Sequence, residues 1–208
     1  MKYVNLVFIA CSVALAACGG GGDAAPAAAT SLNAPIVTST PTQVSQSTPS
    51  APMGGVADTA LSQANTCNLP NYQADMLRAI NDARAQARTC GPAAKPAVAS
   101  ISWNSELFTA AALHSQDMAQ REYFAHINPE GITPGERANL AGYGYSNLGE
   151  NIAAGQTSIA QVMQGWLDSK DHCNAIMNGA YTEVAVACVS TTRFKYPSYW
   201  TMELGRPA

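Results

Sequence analysis

The chain has 208 residues and a formal net charge of −3, with 47% hydrophobic and 12% charged residues, a composition typical of one soluble domain with additional chain. Without an excess of Lys and Arg the protein lacks the charge that neutralises phosphates, so we expect no nucleic-acid partner. Residues 1–66 contain only three of the charged residues, Lys2, Asp23 and Asp58. The folded domain is therefore predicted to span residues 67–208.

Residues 1–17 have the pattern of a lipoprotein signal peptide. Lys2 precedes a short apolar stretch that cannot cross the ~30 Å hydrocarbon core at about 1.5 Å per helical residue. The run Leu15-Ala16-Ala17-Cys18 resembles a bacterial lipobox, which implies that Cys18 is acylated; cleavage by the ordinary signal peptidase is the alternative. Several acyl chains on Cys18 anchor a protein to a membrane firmly. Gly19 then implies the outer membrane in a diderm organism, and otherwise the outer face of the cell membrane.

The stretch from Cys18 to residue 66 is predicted to be a flexible tether. It is dominated by Ala, Pro, Ser, Thr, Gly and Gln and contains no aromatic residue. Such a segment cannot bury enough apolar surface to offset the entropy lost on ordering. We therefore expect an acylated Cys18, a tether over 18–66, and one domain held away from the lipid surface.

The first part of the predicted domain is helical. Asn71 is a predicted N-cap of a first helix, whose apolar residues recur at three and four positions until Gly91-Pro92 ends it. A second helix begins near Asn104-Ser105, and a third follows Thr157. Ser169 is predicted to cap a short further helix that reaches Met177.

Two β-prone runs follow the helices, at 183–189 and 199–204. Helices first and strands late predict mixed α and β structure and not a parallel doubly wound sheet. Trp103, Trp166 and Trp200 are predicted core residues. For the tyrosines two interpretations stay open, a contact rim or half-buried packing. These tyrosines are Tyr143, Tyr145, Tyr196 and Tyr199.

Four cysteines remain once Cys11 leaves with the signal peptide and Cys18 is acylated: Cys67, Cys90, Cys173 and Cys188. An even number fits disulfides in an oxidising compartment. Three pairings are open, and the shortest loops favour Cys67 with Cys90 and Cys173 with Cys188. A metal site is disfavoured because only His172 neighbours a cysteine, and adjacent side chains point apart.

Each of the three histidines lies in a distinct context. His114 lies beside the apolar side of the second helix, which indicates a hydrogen-bonded residue at the edge of the core. His126 lies where that helix gives way to a turn-rich loop, a favoured place for functional residues, and His172 follows the third helix. Glu150 and Asn151 lie in a predicted loop of small residues; the alternative for both is hydrogen bonding to the backbone.

Taken in order, a series of segments resembles the CAP superfamily of cysteine-rich secretory proteins, antigen 5 and pathogenesis-related proteins, in its bacterial SCP-like branch. The resemblance implies an α+β fold: a three-layer α-β-α sandwich with a central antiparallel sheet and a cleft on one side. The segments are Tyr123-Phe124-Ala125-His126, Arg137, Gly142-Tyr143, Gly149-Glu150-Asn151-Ile152-Ala153, Trp166-Leu167-Asp168-Ser169, His172, Asn174-Ala175-Ile176-Met177 and Tyr199-Trp200.

The resemblance also implies the residues of the cleft. They are His126, Glu150 and His172, with Asn151 and Ser169 beside them; Ser169 stands where the eukaryotic branch has a second glutamate. The usual Gly-Val-Gly of the late strand is replaced by Ala185-Val186-Ala187. Since some CAP proteins bind metal through such residues, the candidate zinc ligands are His126, His172 and Glu150.

The function predicted from the sequence is an envelope-anchored binding module whose cleft engages a lipid, glycan or peptide ligand, with zinc as the candidate cofactor. The first alternative is an envelope hydrolase that uses a histidine or Glu150 as general base. The chain has neither a Gly-Xaa-Ser-Xaa-Gly nor a His-Glu-Xaa-Xaa-His motif, and no residue is assigned as catalytic. The second alternative is a structural or adhesive surface protein.

Overall fold

The computed structural model describes residues 59–192 and 195–208. The predicted signal peptide, Cys18 and the predicted tether as far as residue 58 lie outside the described residues. Structure begins ahead of the predicted boundary at Cys67, with a 3₁₀ turn at Gln63–Asn65 and a bridge between Thr66 and Cys188. None of the helices in the described ranges is both long enough and apolar enough to cross a membrane.

The described residues form five α-helices and six β-strands. In chain order they are α1 Tyr72–Arg84, β1 Arg88–Cys90, β2 Ala93–Lys95, β3 Ser102–Trp103, α2 Ser105–Arg121, α3 Pro134–Leu140, β4 Tyr145–Ala154, α4 Ile159–Asp168, α5 Lys170–Ile176, β5 Glu183–Ser190 and β6 Ser198–Pro207. Asn104 caps α2, as its side chain accepts from Leu107 N. The predicted second and third helices and both late strands are confirmed.

The main sheet has the order β3-β5-β6-β4. The short strand β3 is parallel to β5, while β5 with β6 and β6 with β4 are antiparallel. Strands β1 and β2 form a separate hairpin. β4 is therefore an edge strand, a position at which backbone groups on one side lack a strand partner.

Helices cover both faces of this sheet, because the side chains of each strand alternate between them. Ala185 and Ala187 of β5 pack against α2, whereas Val184, Val186 and Cys188 pack against α1, α4 and α5. The methyl groups of the two alanines are small enough for α2 to lie close to the sheet. The predicted three-layer α-β-α sandwich is confirmed.

The first helix ends earlier than its apolar spacing predicts. Arg84 is buried, and its guanidinium donates to backbone carbonyls, among them Ala99 O at 2.9 Å and Ile176 O at 2.6 Å. This anchor ends α1 at Arg84 and frees the following residues to form β1. Gly91, with φ of +59°, makes the turn to β2. The prediction of a helix reaching Gly91-Pro92 is wrong.

The disulfides link Cys67 to Cys188 and Cys90 to Cys173, so the pairing favoured by short loops is wrong. The bridge between Thr66 and Cys188 aligns the chain ahead of α1 with the centre of the sheet. The β1–β2 hairpin packs against α5 and brings Cys90 to Cys173. Tertiary packing, and not loop length, decides the connectivity.

Candidate functional site

The site is built around Glu150, which lies within β4 and not in the loop that its small neighbours predict. Glu150 pairs directly with Glu203 across the β4–β6 ladder, so both carboxyls point to the α2 face. The side chain of Glu150 is 1% exposed, and Glu203 is fully buried. Two carboxyls so placed cannot both carry a charge without strong repulsion.

Glu150 is the ionised member of the pair. Its Oε2 accepts from Arg137 Nη2 at 2.6 Å, and its Oε1 accepts from His126 Nδ1 at 2.7 Å. Burial opposes ionisation, but the His126 hydrogen bond and the Arg137 charge outweigh it and hold the pKa of Glu150 below its ordinary value.

Glu203 is the neutral member. Burial and the charge of Glu150 raise its pKa well above the ordinary value. A hydrogen bond from the protonated Glu203 carboxyl to the Glu150 carboxylate contributes to both shifts. A protonated carboxyl costs far less to bury than a second carboxylate.

His126 is the solvent-exposed member of this network. Because a carboxylate can only accept, the Nδ1 that faces Glu150 carries a proton. In the neutral ring, Nε2 is then an unprotonated nitrogen on a side chain that is 49% exposed. Such a nitrogen is able to accept a proton, accept a hydrogen bond or bind a metal.

The loop that carries His126 is fixed at two successive carbonyls. His114 Nε2 donates to Ala125 O at 3.0 Å, and Arg137 Nη2 donates to His126 O at 2.9 Å. His114 is buried, and burial lowers its pKa to about 4, so the ring is neutral near pH 7. The prediction of a hydrogen-bonded core-edge histidine is confirmed. His114 Nε2 also lies 3.9 Å from Glu150 Oε2, which makes it part of the site.

Asn151 and His172 lie on the other face of the sheet. Asn151 follows Glu150 in β4 and therefore points the opposite way; its Nδ2 donates to His172 O at 3.2 Å. Asn151 is buried and joins β4 to α5. Burial, followed by the coulombic effect of His126, lowers the pKa of His172.

His172 and Ser169 line a groove of about 280 Å³ beside the end of β4, together with Phe124, Gln156 and Tyr196. Ser169 occupies the N-cap position of α5 as predicted, but its hydroxyl makes no capping hydrogen bond in the described chain. The structure thus brings His126 and Glu150 into direct contact and places His172 and Ser169 in an adjacent groove, with Asn151 between them.

Three members of the site were not recognised as partners of Glu150 from the sequence: His114, Arg137 and Glu203. Arg137 belongs to the segments that carry the resemblance, but nothing in the pattern connects it to Glu150. The strand register alone brings Glu203 opposite Glu150, and register is not visible in a short run of β-prone residues. Across residues 59–192 and 195–208, no group of three or more His, Cys, Asp or Glu side chains is placed to hold a metal ion.

Comparison with known proteins gives the family. The model of the Cysteine-rich secretory protein family, CAP, matches residues 77–204. Two Bacillus subtilis proteins are similar to this chain: the uncharacterised protein YkwD, 34% identical over 89 residues, and the uncharacterised membrane protein YlbC, 29% identical over 92 residues. The matches cover 43% and 44% of this chain but only 33% and 27% of the relatives, so the chain spans about a third or less of their length.

Among solved structures, an extracellular protein with an SCP domain from Bacillus anthracis is similar at 29% identity. The match covers 52% of this chain and 34% of that chain, with a TM-score of 0.47. The family match at residues 77–204 covers more than half of the chain, and it includes His126, Glu150 and His172. The protein therefore belongs to the cysteine-rich secretory protein (CAP) family.

Proposed function

We propose that the protein is an extracytoplasmic binding module of the bacterial cell envelope, anchored through acylated Cys18. Two disulfides and membership of a secretory family support a location outside the reducing cytoplasm. The anchor rests on the lipobox-like run alone, since Cys18 lies outside the described residues. The ligand site is the edge of the sheet at β4, where Glu150 holds the exposed ring of His126 and His172 lines the adjacent groove. The ligand is a lipid, a glycan or a peptide.

The main support for the binding site is that the buried Glu150–Arg137 ion pair holds the half-exposed imidazole of His126. The desolvation penalty of burying Glu150 and Arg137 is about as large as the attraction between them. The ion pair therefore adds little net stability compared with apolar residues of similar size. Its effect is to orient His126 and to fix the loop that carries it. A buried carboxylate whose pKa is shifted by specific partners beside a cleft is typical of functional sites.

The experiment compares the full-length chain with a His126→Ala variant against three probes: phosphatidylglycerol vesicles, isolated peptidoglycan and casein peptides. We expect one probe to bind the wild type and to lose at least tenfold in affinity with His126→Ala, while the melting temperature stays close to that of the wild type. Leu113→Ala, an exposed apolar residue of α2, is the matched control. Equal binding by the His126→Ala variant, or no binding of any probe by the wild type, contradicts the proposal.

A hydrolase is the second candidate, because the Glu150–His126 pair has the arrangement of a catalytic acid–histidine dyad. The carboxylate holds Nδ1 and leaves Nε2 to take a proton from a water or a hydroxyl. Turnover of peptidoglycan, casein or lipid esters that disappears with Glu150→Gln would support this candidate. Turnover that persists in that variant would refute it.

Zinc binding remains a prediction, and the geometry leaves His126 and His172 as its candidate ligands. Glu150 does not fit as a direct ligand, because its two oxygens already accept from His126 and Arg137. Two imidazoles are fewer protein ligands than zinc sites usually have. Calorimetry with Zn²⁺ on the wild type and on a His126→Ala, His172→Ala double variant tests the point: heat lost in the variant supports the site, and equal heats exclude it.

A further inference from the structure

We propose that the groove beside His172 binds an N-acetylated amino sugar of a glycan. This inference rests on the proposed binding function and narrows its ligand to one of the three classes. The groove lies at the end of β4, between the loop that carries Phe124 and the start of α5. Its volume of about 280 Å³ is close to the lower limit of ligand pockets, roughly 300 Å³. That size suits one sugar ring and its substituents.

Three polar side chains line the groove: Gln156, Ser169 and His172. The Ser169 hydroxyl is not used as a cap, and Gln156 Oε1 is buried without a hydrogen-bond partner in the described part of the chain. The His172 ring lines the groove, and an imidazole can supply both a hydrogen-bond donor and an acceptor. A buried acceptor such as Gln156 Oε1 gains most from a ligand that donates an N–H or O–H.

Phe124 and Tyr196 also line the groove and form an aromatic pair. Phe124 is 47% exposed, and its ring centroid lies 6.3 Å from that of Tyr196. Tyr196 in turn meets Tyr199 edge-on at 6.0 Å, and Tyr199 is buried. The exposed ring of Phe124 thus packs on Tyr196, which itself packs on the buried Tyr199. An aromatic face beside hydrogen-bonding groups matches a pyranose, which has an apolar C–H face and a polar rim.

A lipid ligand is disfavoured by the same residues. An acyl chain in this groove would cover Ser169, His172 and Gln156 without giving them a hydrogen bond. Each polar group that is covered in this way loses its hydrogen bonds to water and weakens the binding of the acyl chain. A headgroup would satisfy the polar side chains but would leave the Phe124 face without a partner.

A peptide bound as an added strand is disfavoured by the edge of β4. Trp166 Nε1 donates to Ile152 O at 3.3 Å, and Tyr181 Oη donates to Leu148 O at 3.3 Å. Both carbonyls point away from β6 and would have to accept from an added strand. The two aromatic side chains occupy them, so this edge is closed to strand addition.

The acetamido group is inferred from Gln156 and its surroundings. The Gln156 backbone carbonyl accepts from Ser198 Oγ at 2.6 Å and from Trp200 Nε1 at 2.9 Å, which fixes the residue in place. Its side-chain amide complements an acetamido N–H. Two small residues of the groove, Gly165 and Ala154, leave space for the acetyl methyl group.

The test titrates triacetylchitotriose into the full-length chain, with cellotriose and deacetylated chitotriose as controls that lack the acetamido groups. We expect binding of triacetylchitotriose alone, and a loss of at least fivefold in affinity with Ser169→Ala and with Phe124→Ala. Both substitutions are at positions with exposed surface, so the variants are expected to fold; the melting temperature verifies this. Leu113→Ala, which lies outside the groove, is expected to bind like the wild type.

The inference is overturned if triacetylchitotriose fails to bind, if cellotriose binds equally well, or if both groove variants keep the wild-type affinity. The proposed function fails in a different way, when no probe binds the wild type or when His126→Ala binds as tightly as the wild type. If no saccharide binds but vesicles or casein peptides bind and lose affinity with His126→Ala, the binding module stands and the glycan inference is wrong.

Discussion

The two faces of β4 use polar residues in opposite ways. On the α2 face, Glu150 contacts His126 and Arg137, and both of its oxygens accept hydrogen bonds. On the α5 face, Ser169 and His172 line a groove, and the Ser169 hydroxyl makes no capping hydrogen bond. The pleat of a single strand separates the two, since Glu150 and Asn151 are consecutive. The buried Glu150 network and the groove beside His172 therefore lie on different sides of one sheet edge.

Removal of the cation on the α2 face should have the largest effect. Arg137→Met leaves the buried carboxylate of Glu150 without its ion-pair partner, and loss of one partner of a buried pair costs roughly 3–5 kcal/mol. Urea unfolding measures the loss. Arg121→Met removes an exposed cation that pairs with Asp117 and Glu130, and its effect should be much smaller. Equal effects of the two substitutions would show that the Glu150 network does not bear on stability.

The same face should make the fold sensitive to acid. The unfolded chain binds a proton at His114 near pH 6.5, whereas the native state does so only near pH 4. Between these values the unfolded state binds more protons, so the free energy of unfolding falls as the pH falls, by roughly 3 kcal/mol in total. His114→Gln keeps a donor for Ala125 O but does not titrate. Unfolding curves from pH 7 to pH 4 should be flatter for that variant, and parallel curves would contradict the assignment.

Asn151 connects the two faces, and its loss should have an intermediate effect. Asn151→Ala removes the donor to His172 O and leaves that carbonyl without this partner, at a cost of about 1–3 kcal/mol. Asn147→Ala, at an exposed position of the same strand, should change the free energy of unfolding by no more than about 0.5 kcal/mol. If the two variants unfold alike, the Asn151 hydrogen bond does not hold α5 to β4.

The smallest effect on stability is expected on the groove side. Ser169→Ala removes a hydroxyl that caps nothing, so we expect a loss of less than about 0.5 kcal/mol. Ser158→Ala is the contrast, because Ser158 Oγ accepts from Gln161 N at the start of α4 and its loss should cost about 1 kcal/mol. Guanidinium unfolding of both variants separates the two cases. A cost at Ser169 as large as that at Ser158 would show that the hydroxyl has a structural role.

Sequence patterns predicted the elements that have strong local signals. The helix capped at Asn104, the amphipathic helix after Thr157 and the late strands follow from spacing and capping residues, and the sandwich follows from the family resemblance. The end of α1 was missed because it depends on carbonyls that Arg84 meets only in the folded chain. The cysteine pairing was wrong because loop length carries no information on which strand lies beside Cys67.

The candidate site was predicted in part for the same reason. His126 and Glu150 lie in motifs that can be read along the chain, and the structure brings them into contact. Glu203 became visible only through the register of β6 on β4, and His114 only through the approach of α2 to the loop at Ala125. Ser169 fits its capping pattern in position but not in hydrogen bonding, because its hydroxyl makes no capping bond.

The disulfide between Cys67 and Cys188 has a mechanical consequence. Residues 59–66 already contact α2 and β5 ahead of Cys67, and Cys188 lies in β5, between β3 and β6 in the sheet. A pull on the preceding segment therefore passes through a covalent bond to an inner strand, which must shear against its neighbours before it moves.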